Sequence, residues 1–310
     1  DYYRNDIETG RLTREEAIEL LQDFFIHTVE ISGLSDHTHG SGAFNYTTTG
    51  PVKQSLSKDS VQYLVLAGQT PDGKDASNEL SAVMLDAIDE IRTKSPAVII
   101  RYHGGIDRNF WLQVCDMMAR SFNNIGIYND SSVIEGFVKG GVKPGDAIGY
   151  SHFGCCNPAI PGKDAQLRED QRNLAKILEL TLNNGYDPVA DFQRGPHTGT
   201  VDTFQNFDDL VKAFKVQMDE DIRRAIERQE AKYEAYFREK PFAFESCLLT
   251  GCVEDAMDCN DPDRNPKNGG PGYLHTNIHG GALATTADSL AAVKKLVFDD
   301  KELTLPELKN

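Results

Sequence analysis

Two hydrophobic patterns alternate along the first half of the chain. Ala17, Leu20, Leu21, Phe24 and Phe25 recur at three- and four-residue spacing, which predicts a helix with one buried face. Thr13-Arg14-Glu15-Glu16 ahead of them reads as a capping box, with Leu12 placed as a hydrophobic staple. Residues 62–67 (QYLVLA) form a short unbroken apolar run and read as a buried strand, and residues 68–73 (GQTPDG) as a turn. Ser77 or Asn78 then caps a helix through Ile91, with Leu80, Val83, Met84, Ala87 and Ile88 facing inward. Residues 97–102 repeat the strand pattern, 107–122 the helix, 125–128 the strand and 131–139 the helix. Strand and helix in repeated alternation define the α/β class.

The second half is less regular. Residues 149–163 are rich in Gly, Cys and Pro, and 166–182 read as a strong helix. Residues 183–205 read as loop, and 207–240 as a long charge-laced helix with a solvated face. A shorter segment at 242–257 precedes a glycine-rich loop at 265–272, a strand-like run and a closing helix at 287–297. Residues 36–58, full of His, Gly, Ser and Thr, read as a long irregular loop of the kind that often carries function. No repeat or low-complexity linker interrupts the 310 residues, which are therefore kept undivided.

Charge narrows the function. The formal net charge is -16, with 48 acidic residues against 32 basic ones. Nucleic acid and anionic membranes both select for Lys and Arg surfaces, so neither is expected as a partner. No apolar run approaches the ~18 residues of a membrane span. The start, Asp1-Tyr2-Tyr3-Arg4, has neither a Met nor a signal-peptide pattern and reads as a cut within a longer chain. The six cysteines are too sparse for a disulfide scaffold and form no C-x-x-C, so no metal site is expected and a reducing cytoplasm is. His37 and His39 read as solvated loop histidines. No dinucleotide fingerprint, P-loop or G-x-S-x-G elbow occurs.

The segment Gly154-Cys155-Cys156-Asn157-Pro158-Ala159-Ile160-Pro161-Gly162-Lys163 stands apart. Glycine permits unusual dihedrals, and two prolines stiffen the turn after the thiols. The residues by themselves leave two readings: a reactive cysteine held in one orientation, or a buried structural one.

This loop resembles the cysteine loop of the glycyl radical enzymes, which commonly runs Gly-Cys-Val-Glu-Pro and then x-x-Pro-Gly-Lys. Three further motifs follow that family in order. They are Gly68-Gln69-Thr70-Pro71-Asp72-Gly73-Lys74-Asp75-Ala76-Ser77-Asn78-Glu79-Leu80-Ser81, Asn173-Leu174-Ala175-Lys176, and Gly269-Gly270-Pro271-Gly272-Tyr273 with the run from Ala284 to Val297. The resemblance spans essentially the whole chain. It implies the central to late part of a ten-stranded α/β barrel made of two half-barrels, with the cysteine on a central finger loop. The amino-terminal half and the glycyl radical domain would lie outside these residues, so the isolated chain is expected to be inactive.

The resemblance also implies a mechanism. A separate radical-SAM activating enzyme installs a glycyl radical, no cofactor is bound, and the radical oxidises the loop cysteine. The resulting thiyl takes hydrogen from a small metabolite, and the enzyme is a homodimer. The family's cysteine lies three residues before the first proline, which assigns the role to Cys155. Pyruvate formate-lyase has a cysteine pair too, but its partner precedes the abstracting one, where this chain has Gly154, and its carboxylate-anchoring arginine falls at Gln171. The family's eliminases and arylacetate decarboxylases carry Glu two residues after the cysteine, and here that residue is Asn157, an amide that cannot shuttle a proton. His279 takes the place of a family Gln, with His275 four residues before it. Glu169 lies where some dehydratases keep a hydroxyl-binding Asp. Asn157, His279, His275 and Glu169 are the expected substrate-binding residues. C–O, C–N or C–S elimination leads; C–C cleavage, as in the decarboxylases or formate acetyltransferase, is the alternative, and an inactive scaffold or one subunit of a split enzyme is the reading from another class.

Overall fold

The computed structural model describes residues 2–34, 62–93, 95–120, 124–154, 157–236, 240–264 and 269–309. The long loop expected at 36–58, with His37 and His39, falls outside these. The described residues are mixed α/β and divide into two compact units, Asp1–Pro161 and Gly162–Asn310.

The first unit begins with helices α1 (Tyr2–Glu8) and α2 (Arg14–Leu34). The capping box forms: Glu16 N–H donates to Thr13 Oγ1 at 3.2 Å, and Thr13 N–H donates to Glu16 Oε2 at 2.8 Å. Strands β1 (Tyr63–Ala67), β2 (Ala97–Tyr102) and β3 (Ile125–Asn129) pair in parallel in that order, linked by helices α3 (Glu79–Ile91) and α4 (Arg108–Ala119). Asn78 is the cap of α3, accepting from Ser81 N–H at 3.1 Å. The alternation of side chains along β2 divides the sheet into two environments. Val98 and Ile100 join Phe25 of α2, Val83 and Ile88 of α3, and Val114 and Met117 of α4 in one dry core. Ile99 and Arg101 point to the opposite face. Helices α5 (Asp130–Lys139) and α6 (Pro144–Ile148) then lead to a short antiparallel hairpin, β4 (Ser151–Phe153) and β5 (Asn157–Ala159).

The second unit opens with β6 (Asp164–Asn173) and α7 (Leu174–Leu182). This corrects the expected helix at 166–182, whose first half is a strand. Its partner is β9 (Tyr273–Gly281), parallel to it. Between them lie the small hairpin β7 (Tyr186–Asp187) and β8 (Phe192–Gln193), the long helix α8 (Phe207–Tyr236), and short helices α9 (Ala243–Ser246) and α10 (Thr250–Asp255). Helix α11 (Leu283–Val293) continues into a π-helical turn at Lys294–Asp299, and α12 (Leu305–Lys309) follows. Among the described residues the strands form sheets of two or three members and no closed barrel. No described helix is long and apolar enough to cross a membrane.

Candidate active site

The hairpin of the first unit carries the cysteine loop. Phe153 pairs with Asn157 and His152 with Pro158, so β4 and β5 are antiparallel neighbours on either side of residues 154–156. Both cysteines lie outside the described residues. Gly154 has φ +59, a left-handed conformation that disfavours a side chain. Asn157 is buried, and its amide sits 4.0 Å from where a Cβ on Gly154 would be. Strands β4 and β5 thus flank the cysteine pair on both sides in the sequence.

The root of this hairpin is held by a buried polar cluster. Arg101, on the far face of β2, grips Asp130 with Nε–Oδ1 at 3.0 Å and Nη2–Oδ2 at 2.9 Å. It also donates to the carbonyls of Tyr150 and Ile148, each at 2.8 Å. Tyr150 lies with its ring 3.9 Å beneath the guanidinium and donates its hydroxyl to Asp130 Oδ1 at 2.6 Å. Burial, then the Asp130 carboxylate, pushes the Tyr150 phenol far up, so it stays a donor. One cation thus ties the sheet to the chain immediately before β4.

The glycine of the Gly68-Gln69 motif follows from this cluster. Gly68 has φ +86, and a Cβ there would meet Arg101 Cζ at 2.8 Å. The next residue, Gln69, donates from Nε2 to Asp130 Oδ2 at 3.4 Å. Asp75, later in the motif, accepts from Asp107 N–H at 2.8 Å and contacts His103 Nε2 at 3.1 Å, joining the turn before α3 to the one before α4. Sequence reasoning missed Arg101, Asp130 and Tyr150. The available signal was an arginine ending the apolar run 97–100, because a charge at a buried strand position needs a partner.

His152 was also missed. Its Nδ1 lies 3.0 Å from Tyr128 Oη, and its ring sits 4.6 Å from that of Tyr63 and 5.5 Å from that of Tyr128. Burial depresses its pKa, which favours the neutral imidazole near pH 7.

The other expected site residues belong to the second unit. Glu169 lies on strand β6, not on a helix, at the position paired with Asn277 of β9. His279 pairs with Gln171. The period of two puts His275 and His279 on the same side of β9, about 13 Å apart along the strand at ~3.3 Å per residue. His275 Nδ1 is 2.7 Å from Asp164 Oδ2, and the Asp164 side chain is fully buried. That carboxylate fixes the orientation of the ring, as in other carboxylate–imidazole pairs. His279 is half-buried, with its Nε2 closed off from solvent. Gln171 likewise lies on strand β6, not within the expected 166–182 helix.

Among the described residues no group of three or more His, Cys, Asp or Glu gathers as a metal site. Of the remaining cysteines, Cys252 and Cys259 pack in an apolar cluster, and burial pushes the Cys252 thiol up to about 11. They are core residues.

The family model described as pyruvate formate lyase-like matches residues 1–310, and the chain belongs to that family, which holds the glycyl radical enzymes. It is 29% identical over 312 residues to trans-4-hydroxy-L-proline dehydratase of Clostridioides difficile, matching 99% of this chain and 37% of the relative. It is 28% identical over 309 residues to isethionate sulfite-lyase of Oleidesulfovibrio alaskensis, matching 99% of this chain and 35% of that protein. A solved structure concerned with 1,2-propanediol dehydration in Roseburia inulinivorans superposes with a TM-score of 0.63 at 29% identity, covering 99% of this chain and 36% of that one. The chain thus spans little more than a third of the length of the relatives it matches.

Proposed function

We propose that this chain is the central to late part of the ten-stranded barrel of a glycyl radical lyase, and that the enzyme eliminates a heteroatom group from a small metabolite. The observation that carries the reading is the anchored hairpin, whose described flanks, left-handed Gly154 and the buried Asn157, bracket Cys155 in the sequence. The whole-chain family match supports it, and relatives named for dehydration and for sulfite release support elimination.

In this reading the glycyl radical, placed by a radical-SAM activating enzyme, supplies the oxidising equivalent. Cys155 as thiyl forms its S–H bond while a substrate C–H bond breaks. The substrate radical then loses the neighbouring O, N or S group together with a proton, and the product radical takes the hydrogen back from the thiol. Atoms balance as substrate to unsaturated or carbonyl product plus HX, with no net redox change. Asn157 holds a polar substrate group by hydrogen bonding, since its amide does not titrate. His275, His279 and Glu169 are the substrate-binding groups of β6 and β9. Of these, His275, with its ring held by Asp164, is the one built to move a proton to or from the substrate. Exclusion of water protects the radicals. The enzyme is placed as a cytoplasmic homodimer of anaerobic metabolism.

The test is an anaerobic assay of the full-length activated protein with 1,2-propanediol, trans-4-hydroxy-L-proline, isethionate and an arylacetate. Release of water or sulfite supports elimination. Carbon dioxide from the arylacetate alone overturns it in favour of C–C cleavage.

A further inference from the structure

A chain of net charge -16 collects cations at one place in its second unit. Arg172, Arg194, Arg224 and Arg228 line a cavity of about 510 Å³ against α8 and the segment after β8. Four arginines face Glu220 and Asp221 there, and Asp170 and Asp187 pair with the same arginines, so the formal charges balance and it is the unengaged guanidinium donors that mark the cavity.

The arginines are not equally occupied. Arg172 is spent on carboxylates, with Nε and Nη2 on Asp221 at 2.6 and 2.8 Å and Nη1 on Asp170 at 3.4 Å. Arg194 gives Nη1 to Asp187 at 3.2 Å. Arg224 gives Nε to Glu220 at 2.6 Å and Nη1 to the Arg194 carbonyl. Arg228 reaches Asp170 only at 3.6 Å, as an ion pair without a hydrogen bond. Among the described residues, Arg194 Nε and Nη2, Arg224 Nη2 and the Arg228 head keep donors directed to no protein acceptor.

The walls add shape. Phe192 shows half its surface beside the arginines. Gln217, 1% exposed, donates from Nε2 to the Pro196 carbonyl at 2.7 Å and to Thr198 Oγ1 at 2.9 Å. Its buried Oε1 finds no donor among the described residues and lies where a Cβ on Gly195 would collide with it. The backbone at Gly195 thus comes as close to Gln217 as a side-chain-free residue allows.

We propose that this cavity binds a small organic anion, a carboxylate or a phosphate ester, with its charge on Arg194, Arg224 and Arg228 and its carbon skeleton against Phe192. Guanidinium groups suit planar and tetrahedral oxyanions alike, because their forked donors engage two oxygens at once. The site uses none of the residues assigned to the elimination, so it stands or falls independently of that reading.

Calorimetric titration of the full-length protein at low salt with inorganic phosphate, glycerol 3-phosphate and succinate separates the two anion classes. Saturable binding of at least one, with Kd below about 1 mM, is expected. The Arg194→Gln/Arg228→Gln double variant should bind at least tenfold more weakly, and Lys212→Gln, on the same helix, should bind as the unaltered chain does. No saturable binding by any of the three, undiminished binding in the double variant, or equal loss in Lys212→Gln would overturn the proposal. Should the double variant unfold, phenylglyoxal labelling of the unaltered chain decides. The bound anion should protect Arg194 and Arg228 but not Arg120, and equal labelling with and without it refutes the site.

Discussion

At the scale of single residues, the hairpin that carries the cysteines is held at its root by one buried charge pair. Arg101 and Asp130 are desolvated together, and removing one partner leaves the other charged and buried. Asp130→Asn should therefore lower unfolding free energy by about 3–5 kcal/mol, read as a lower urea midpoint with an unchanged slope. Gly68→Ala meets the same guanidinium and a left-handed backbone, and should cost about 1–3 kcal/mol by that measure. His152 gives a pH signature. Its folded pKa lies below the ordinary value near 6.5, so the unfolded chain binds more protons as pH drops below about 6.5. Stability from this group is complete above that pH and declines below it. His152→Gln should flatten the slope of stability between about pH 6.5 and 5, and an unchanged slope would remove His152 as its source.

At the scale of elements, most of the first unit could be read from the chain, because its strands are continuous apolar runs and its helices are capped and periodic. The failure at 166–173 has a physical cause. Gln166, Leu167, Arg168, Glu169 and Gln171 all favour helix intrinsically, but pairing with β9 outweighs a propensity of a few tenths of a kcal/mol per residue. The clue lay in Asn173, which accepts from Lys176 N–H at 3.1 Å and marks where helix α7 begins. Asn173→Ala should destabilise by about 1 kcal/mol. Hydrogen exchange should show the amides of 168–173 protected by a partner strand, so that disrupting β9 releases them, which a local helix would not allow. The unusual dihedral at Gly154 was readable from the glycine itself. The anchor of the hairpin was not, since Arg101, Asp130 and Tyr150 stand 29 and 20 residues apart and meet only through the sheet.

At the scale of the whole molecule, 310 residues account for little more than a third of the relatives they match. The family is settled by a match over the entire chain. The central claim is narrower and rests on one sulfur. It is tested most directly by combining turnover with electron paramagnetic resonance on the full-length activated protein carrying Cys155→Ser, with Cys156→Ser alongside. The account predicts that Cys155→Ser keeps the glycyl radical signal and loses all turnover, while Cys156→Ser keeps both the signal and activity. Turnover surviving in Cys155→Ser, or lost only in Cys156→Ser, would contradict it.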